Sequence, residues 1–246
     1  MRVIIPSAGK GKRMGESTER IPKVMHTICG EPLLRHVLNS VDFIAPDDTY
    51  IVVGYKKEQV TNAFGDAYHY IEQAEQLGTG HAVMQCADAF RGYDGTVLIT
   101  FGDMPLFRAE DMQGMVRQHE AHHAQCTLMT AENPDLTLWA RVIRDANGDF
   151  EAIVEGKDCT PEQAQVKELF SGVICFDSKA LFATLPDVQA NNIQHEYYLT
   201  EVPELLKKRG LRVETYLISD GNDLRGVNTP EDMRICEAEM KKRHGV

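Results

Sequence analysis

Short apolar runs alternate with amphipathic segments along the first half of the chain. Runs typical of buried strands lie at residues 3–5, 50–53, 68–71 and 96–99. Segments with apolar side chains at a helical period lie at residues 32–45, 57–64 and 109–122. Thr79 is placed to cap a further helix that runs to Ala87. This order predicts a mainly parallel sheet with helices on both faces.

The second half of the chain has a different pattern. Strand-like runs lie at residues 126–130, 138–143, 150–154, 172–176 and 213–218. Asn147-Gly148 is typical of a hairpin turn. Helices are predicted at residues 178–185, 198–209 and 230–242. We therefore expect a single α/β domain in which a doubly wound, mostly parallel, Rossmann-like sheet carries an inserted half with mixed β structure.

We expect that domain to comprise residues 1–246. Its first half covers residues 1–124, the inserted half residues 125–228, and a C-terminal helix residues 229–246. In doubly wound sheets, ligands bind beyond the carboxyl ends of the strands. That rule selects the loops after Ile5, Thr100 and Ile218.

Composition narrows the function classes. The chain has 26 Lys plus Arg and 37 Asp plus Glu, a formal charge of −11, which argues against a nucleic-acid-binding face. No apolar run approaches the length of a membrane span, and the N-terminus lacks a signal-peptide pattern. The six cysteines are scattered, with no pair at a spacing typical of zinc or redox sites. We expect a cytoplasmic protein with no membrane or nucleic-acid partner.

Three histidines share one predicted helix end. His119, His122 and His123 have a spacing that could place two of them on one helix face, as in some metal sites. No third ligand is evident nearby, so a solvated helix end is favoured.

A glycine-rich basic loop follows the first predicted strand. In Ser7-Ala8-Gly9-Lys10-Gly11-Lys12-Arg13, glycines allow backbone N–H groups to approach a phosphate, and three cations fall within four residues. The loop matches neither the P-loop nor the dinucleotide fingerprint. A solvated turn is the alternative to a cradle for a triphosphate. Lys23, held after Pro22, adds a second basic point.

Asp103 directly follows another buried strand. A carboxylate at the carboxyl end of a central strand faces the ligand crevice, and Gly102 allows a close backbone approach. Beside a phosphate cradle, this pattern is typical of a Mg²⁺ site, because Mg²⁺ prefers one or two protein oxygens together with phosphate oxygens. The alternative is a turn aspartate bonded to its own backbone.

These segments resemble the sugar-1-phosphate nucleotidylyltransferases, and within them the uridylyltransferase domains specific for N-acetylglucosamine 1-phosphate. The segments that match are residues 7–14, 22–26, 73–82, 102–105, 153–158, 196–200 and 226–228. They occur in the order found in that family and cover nearly the whole chain. The resemblance implies an enzyme that transfers a uridylyl group from UTP to a sugar 1-phosphate and releases pyrophosphate, with Mg²⁺ as cofactor.

The resemblance also implies a role for each matching position. Phosphates would be bound by the catalytic residues Arg13 and Lys23, and Mg²⁺ would be held by Asp103 and Asn228. The nucleotide would contact Ser7, Ala8, Gly9, Gln73, Gly78, Thr79 and Gly102, with uracil recognised by Gln73, Gly78 and Thr79. The sugar-binding half, residues 125–228, would use Ala140, Glu155, Phe170, Tyr197 and Thr200.

Several positions depart from the family pattern. Ala140 and His195 stand where the family has Gly, and Phe170 stands where it has an Asn that contacts the sugar. A phenyl ring cannot make the hydrogen bonds of an amide, so we expect a changed sugar preference. Full-length bifunctional members add an acyltransferase of hexapeptide repeats. No such repeat follows Asn228, so acetyl transfer is not expected.

Three other readings are open at this point. A glycosyltransferase would use a similar nucleotide-binding half, but it usually carries Asp-x-Asp at the metal site, whereas this chain has Asp103-Met104-Pro105. A non-catalytic nucleotide-sugar sensor would bind ligand without turnover. A nucleotidylyltransferase for another sugar or a small alcohol is a nearer relative of the proposed enzyme.

Overall fold

A computed structural model of the chain describes residues 1–245, without the side chains of residues 16–18. The strands are β1 (Arg2–Pro6), β2 (Thr27–Ile28), β3 (Glu31–Pro32), β4 (Thr49–Val53), β5 (His69–Glu72), β6 (Thr96–Ile99), β7 (Cys126–Glu132), β8 (Arg141–Arg144), β9 (Phe150–Val154), β10 (Glu168–Asp177) and β11 (Val213–Leu217). The α-helices are α1 (Leu33–Ser40), α2 (Lys57–Phe64), α3 (Thr79–Met84), α4 (Ala109–Ala121), α5 (Ser178–Thr184), α6 (Glu201–Lys208) and α7 (Pro230–His244). Short 3₁₀ helices span Lys12–Glu19, Lys23–Met25, Pro46–Asp48, Gly65–Ala67, Gln163–Gln165, Leu185–Asp187 and Gly221–Leu224.

The central sheet has the strand order β11-β7-β10-β6-β1-β4-β5, with β8 and β9 attached beside β10. Along this path, neighbouring strands are parallel except at β10, which runs antiparallel to both β6 and β7. The attached strands β8 and β9 are antiparallel to each other, and β8 is antiparallel to β10. The predicted α/β class with a mostly parallel sheet is thereby confirmed. Strands β2 and β3 form a separate small hairpin, which the sequence pattern did not predict.

Helices pack on both faces of the sheet because its central strands are apolar on both sides. All five residues of β4 are buried, as expected of a strand with no solvent-facing side. On one face, Val3 and Ile5 of β1 pack in the same apolar cluster as Leu34 of α1 and Met112 of α4. On the other face, Ile4 packs in the cluster that contains α3, α5 and α6. The carboxyl ends of β1, β4 and β6 therefore open at one edge of the sheet.

Most predicted elements occur with shifted ends. Helix α1 stops at Ser40, not at residue 45, because the Ser40 hydroxyl donates back to the Val37 carbonyl (2.8 Å) and Val41 leaves the helical conformation. Strand β10 begins at Glu168, four residues before its predicted start, and its pairing with β7 is irregular between Phe170 and Ile174.

Two local predictions were wrong. Thr79 does not cap α3 but is its first residue, with Gly78 at the cap position. His119 is not part of a solvated helix end. It is buried, and its Nδ1 lies 2.9 Å from the Thr127 hydroxyl of β7; burial lowers the pKa of this imidazole. Its position on α4 points it at the sheet, which one-dimensional spacing alone did not reveal.

Among residues 1–245, no helix is both long enough and apolar enough to cross a membrane.

Candidate active site

The basic loop leaves β1 at the carboxyl edge of the sheet. The Ser7 amide donates to the Val52 carbonyl (2.8 Å) and its hydroxyl donates to the Ile5 carbonyl (3.2 Å). Both Ser7 donors therefore hold the loop to the sheet. The Ser7 amide is already bonded, so it does not offer the nucleotide contact that the sequence predicted. In the described hydrogen-bond network, the N–H groups of Ala8, Gly9 and Lys10 stay unused. Such a run of unpaired amides is suited to binding an anion.

Four predicted residues from distant parts of the chain meet beside this loop. The Arg13 guanidinium donates to Asn228 Oδ1 (2.8 Å), and Lys23 Nζ donates to the same oxygen (2.8 Å). Lys23 also forms an ion pair with Asp103. The structure thus brings two cations, a carboxylate and an amide oxygen together at one point.

The path of the loop brings Lys23 to this point. Lys23 begins a 3₁₀ turn immediately after Pro22, whose backbone is extended. Gly11 has φ +72°, and a Cβ there would lie 2.8 Å from Lys23 Cβ. Glycine is therefore needed at position 11 for both its conformation and its contact with Lys23.

Backbone hydrogen bonds place Asp103 and Asn228 side by side. The Gly102 amide donates to the Pro6 carbonyl (3.1 Å), which ties the Asp103 loop to β1. The Val227 amide donates to the Asp103 carbonyl (2.9 Å), which sets the next residue, Asn228, beside the carboxylate. A Cβ at Gly102 would lie 2.3 Å from Ser7 Oγ. The close approach that Gly102 permits is therefore to Ser7.

A cavity of about 360 Å³ opens next to these residues. Its lining consists of Pro6, Ala8, Gly9, Gln73, Gln76, Gly78, Thr79, Ala82, Phe101, Asp103 and Glu196. Most of the predicted nucleotide contacts lie on this wall.

Another part of the cavity wall is formed where β5 leads into the segment that begins α3. Gln73 is 3% exposed and its Nε2 donates to the Gly78 carbonyl (3.1 Å). Gly78 has φ +114°, and a Cβ there would lie 2.6 Å from the Tyr197 carbonyl. The Thr79 hydroxyl accepts a hydrogen bond from the Leu199 amide (3.0 Å). Gly78 and Thr79 therefore join the first half of the chain to the segment around Tyr197.

The predicted sugar residues fall into two groups. The Thr200 hydroxyl donates to Glu155 (3.1 Å), and burial raises the pKa of that carboxyl. Burial, reinforced by Glu155 and neighbouring acids, raises the pKa of Tyr198 to about 12. Ala140 and Phe170 instead belong to the apolar core, where the Phe170 amide donates to the Ala140 carbonyl (2.9 Å). The lining of the cavity includes none of the five predicted sugar residues, which are Ala140, Glu155, Phe170, Tyr197 and Thr200.

Residues 3–190 match the family model of the MobA-like NTP transferase domain. The chain belongs to this family of nucleotidyltransferases. Among curated relatives, it is 41% identical over 240 residues to "Bifunctional protein GlmU" of Enterococcus faecalis and 42% identical over 240 residues to the same protein of Latilactobacillus sakei. Each alignment covers 98% of this chain but only 52% and 51% of the relative, so the chain spans about half the length of these relatives.

Two solved structures share the fold of this nucleotidyltransferase. Apo UDP-glucose pyrophosphorylase superposes with a TM-score of 0.81 at 16% identity, covering 99% of this chain and 98% of that one. UDP-glucose pyrophosphorylase complexed with UDP-glucose also gives 0.81, at 17% identity and 98% coverage of both chains. At this identity the likeness concerns the fold alone.

The oxygens of Asp103 and Asn228 suit a divalent metal ion. Both oxygens contact the same Lys23 ammonium, so they lie close enough to ligate one ion. Across the described side chains, no cluster of three or more His, Cys, Asp or Glu could hold a metal. A pair of oxygens fits Mg²⁺, which completes its shell with phosphate oxygens and water.

Sequence reasoning missed several residues of the nucleotidyltransferase cavity. Gln76 and Glu196 lie inside segments that match the family, so their polar side chains could have been identified from the sequence as candidate site residues. Pro6 and Phe101 end or follow strands, so only the fold shows that they face the cavity. His195, which replaces a family glycine, has φ +54°, the left-handed conformation that glycine adopts freely.

Proposed function

We propose that this nucleotidyltransferase transfers the uridylyl group of UTP to a sugar 1-phosphate, giving a UDP-sugar and pyrophosphate. The observation that carries the proposal is the convergence of Arg13, Lys23, Asp103 and Asn228 beside the loop with unused amides. The name of the solved neighbour, UDP-glucose pyrophosphorylase, supports a UDP-sugar product. The likeness to GlmU, 41% identical over nearly the whole chain, supports the same reaction class.

This chemistry needs positive charge more than a general base. The second pKa of a phosphomonoester is about 6, so the attacking sugar phosphate is already anionic at neutral pH. It approaches the α-phosphorus of a triphosphate, and pyrophosphate leaves. The main obstacle is repulsion between two polyanions, which fixed cations and in-line positioning reduce. Arg13 and Lys23 supply that charge at the rim of the cavity.

In the proposed enzyme, Asp103 and Asn228 hold Mg²⁺. Bound there, the ion would neutralise charge on the phosphates and help to orient them. The chain's own contribution is to aim the two oxygens at one point and to keep Lys23 against both of them.

The remaining assignments divide between the cavity wall, for the nucleotide, and residues outside that wall, for the sugar. Ala8 and Gly9 offer backbone donors to the nucleotide, and Gln73, with Gly78 and Thr79, binds uracil. Glu155, Thr200 and Tyr197 contact the sugar. Ser7 and Gly102 support the loops instead of contacting the nucleotide.

The sugar pocket is the part of the site that departs from the family. Phe170 and Ala140 lie in the apolar core and offer no side-chain hydrogen bond to a sugar. A pocket that lacks the hydrogen-bond partner of a substrate group loses much of its preference for substrates that carry that group. We therefore expect N-acetylglucosamine 1-phosphate not to be strongly preferred over glucose 1-phosphate.

Pyrophosphate release tests the proposal. The purified chain is assayed with each of four nucleoside triphosphates against a panel of sugar 1-phosphates, with and without Mg²⁺. We expect turnover with UTP, dependent on Mg²⁺, and similar rates with the two sugars. A parallel reaction with a UDP-sugar and an acceptor alcohol covers the glycosyltransferase alternative, because such an enzyme would release UDP there and no pyrophosphate from UTP. Binding without turnover in either reaction would indicate a sensor. A clear preference for N-acetylglucosamine 1-phosphate would contradict the altered sugar pocket alone.

A further inference from the structure

The Gln73 side chain is held in one orientation by two neighbours. Its amide nitrogen lies 3.1 Å from the Gly78 carbonyl and 3.0 Å from His81 Nδ1. A carbonyl only accepts, so the NH₂ group must face Gly78. Both amide hydrogens are then used. In the described hydrogen-bond network no donor reaches Gln73 Oε1, so this acceptor is left for a ligand in the cavity that Gln73 lines.

His81 is a candidate for fixing that orientation. It sits on α3, two residues after Thr79, and its ring centroid lies 6.3 Å from that of Tyr197. The amide nitrogen of Gln85 approaches the other side of the ring, 3.2 Å from Nε2 and 3.1 Å from the His81 carbonyl. A neutral imidazole accepts at only one nitrogen. The shorter contact is the one with Gln73. The Gln85 nitrogen can give its hydrogen to the His81 carbonyl, so its contact with the ring is the one that yields when Nε2 carries the proton.

We propose that His81, protonated at Nε2 and accepting at Nδ1, is a positioning residue that locks the Gln73 amide with its oxygen toward the nucleotide base. Gln73 and His81 then form a pair that selects uracil over cytosine. The inference rests on the proposed uridylyl transfer and adds to it how the base is chosen.

The selection follows from the hydrogen-bonding edges of the two bases. Uracil carries a hydrogen at N3 and donates it, whereas cytosine N3 has a lone pair and accepts. A fixed Oε1 receives the uracil N3–H and opposes the cytosine lone pair. If the amide turned over, its NH₂ could serve cytosine. Oε1 would then face the Gly78 carbonyl and the lone pair of His81 Nδ1, so both neighbours oppose the turn.

Two variants of His81 test this role. Phe keeps an aromatic ring beside Tyr197 but cannot accept a hydrogen bond. Asn can place Oδ1 near the position of Nδ1 and restore the acceptor. Steady-state kinetics with UTP and CTP, at a fixed sugar 1-phosphate, give the ratio of the two kcat/KM values for each protein.

We expect His81→Phe to lower the preference for UTP over CTP by about tenfold, the effect of losing one hydrogen bond of ordinary strength. The loss should appear in the KM for the nucleotide, with the KM for the sugar 1-phosphate unchanged. His81→Asn should retain most of the preference. An unchanged UTP to CTP ratio in His81→Phe would overturn the proposal, because Gly78 alone would then fix the amide.

The tautomer of His81 in the wild-type protein gives a measurement that does not depend on a variant folding. Two-bond ¹H–¹⁵N NMR spectra show which ring nitrogen carries the proton. A proton on Nε2 supports the role of His81, and a proton on Nδ1 overturns it. A wild-type enzyme that prefers another nucleotide, or turns over none, contradicts the proposed function instead, and the tautomer still tests the lock on Gln73.

Discussion

Lys23 is the side chain on which the cationic rim of the cavity depends. Its ammonium contacts Asp103 and Asn228, which are 80 and 205 residues further along the chain. Only 12% of its side chain is exposed, so its charge acts in a partly desolvated site. A cation held in this way stabilises a developing anion more than a solvated lysine does.

Lys23→Ala and Asp103→Ala are each expected to lower turnover by two to three orders of magnitude, because a pre-aimed electrostatic group is worth roughly 3–4 kcal/mol in the transition state. Steady-state pyrophosphate release measures this effect. Melting temperatures show whether the fold is retained.

Lys57→Ala is the matched control. Lys57 is an exposed lysine on α2 that also pairs with a carboxylate, Glu72, but it lies outside the cavity lining. We expect it to keep wild-type turnover. Near-normal rates in Lys23→Ala or Asp103→Ala would remove those residues from the proposed mechanism.

At the scale of elements, helix α7 positions Asn228. The Thr229 hydroxyl accepts from the Asp232 amide (3.1 Å), and Asp232 Oδ2 accepts from the amides of both Thr229 (2.8 Å) and Asn228 (3.0 Å). This capping box starts α7. The start of the helix and the proposed metal ligand therefore share one hydrogen-bond network.

Thr229→Ala should destabilise the protein by about 1 kcal/mol, the usual effect of losing an N-cap side chain. It should also raise the Mg²⁺ concentration needed for half-maximal activity, because Asn228 is held less firmly. Chemical denaturation and Mg²⁺ titration of pyrophosphate release measure the two effects.

Asp177→Ala provides the comparison for this prediction. Asp177 caps α5 by accepting from the Ala180 amide (2.8 Å), and it pairs with Thr96 at the opposite end of β6 from Asp103. A similar loss of stability is expected, with no change in the Mg²⁺ requirement. Equal Mg²⁺ requirements in the two variants would show that the capping box does not act on Asn228.

At the scale of the whole molecule, a buried carboxyl joins separate elements. Asp223 is fully buried in the 3₁₀ turn Gly221–Leu224, with Arg243 of α7 2.5 Å from one oxygen and Arg108, before α4, 3.4 Å from the other. Asp220 pairs with the same two arginines. Burial raises the pKa of Asp223 to about 6, and the arginines oppose the rise.

This raised pKa makes stability depend on pH in a definite direction. Between about pH 4 and pH 6 the folded carboxyl keeps a proton that the unfolded chain releases, so stability falls as pH rises. Above about pH 6 both states are ionised and the effect levels off. The slope is at most about 1.4 kcal/mol per pH unit.

Asp223→Asn is neutral at every pH and should lack this slope. We expect the wild type to gain stability relative to this variant as pH falls from about 7 to about 4.5. Denaturation at several pH values measures the difference, and the exposed Asp94→Asn serves as the control. A difference that does not change with pH would contradict the raised pKa.

The sequence by itself determined the local structure and the list of chemical groups. Apolar runs predicted β1, β4 and β6 almost to the residue, because a strand covered on both faces is apolar throughout. The basic loop and Asp103 were predicted at strand ends, since the chain must turn there and the turn needs glycine or polar residues. Helix ends shifted where a side chain such as Ser40 competed for the backbone.

Only the tertiary structure decided which of these groups meet. The convergence of Arg13 and Lys23 with Asn228 depends on strand order and on the Val227–Asp103 hydrogen bond, and neither leaves a local pattern in the chain. The same holds for the burial of His119, for Phe170 in the core and for His81 beside Gln73. Hydrophobic periodicity shows which side of a segment is buried. It does not show which residues meet when they are distant in sequence, as Lys23 and Asn228 are, or when a single side-chain orientation decides the contact, as for His81 and Gln73.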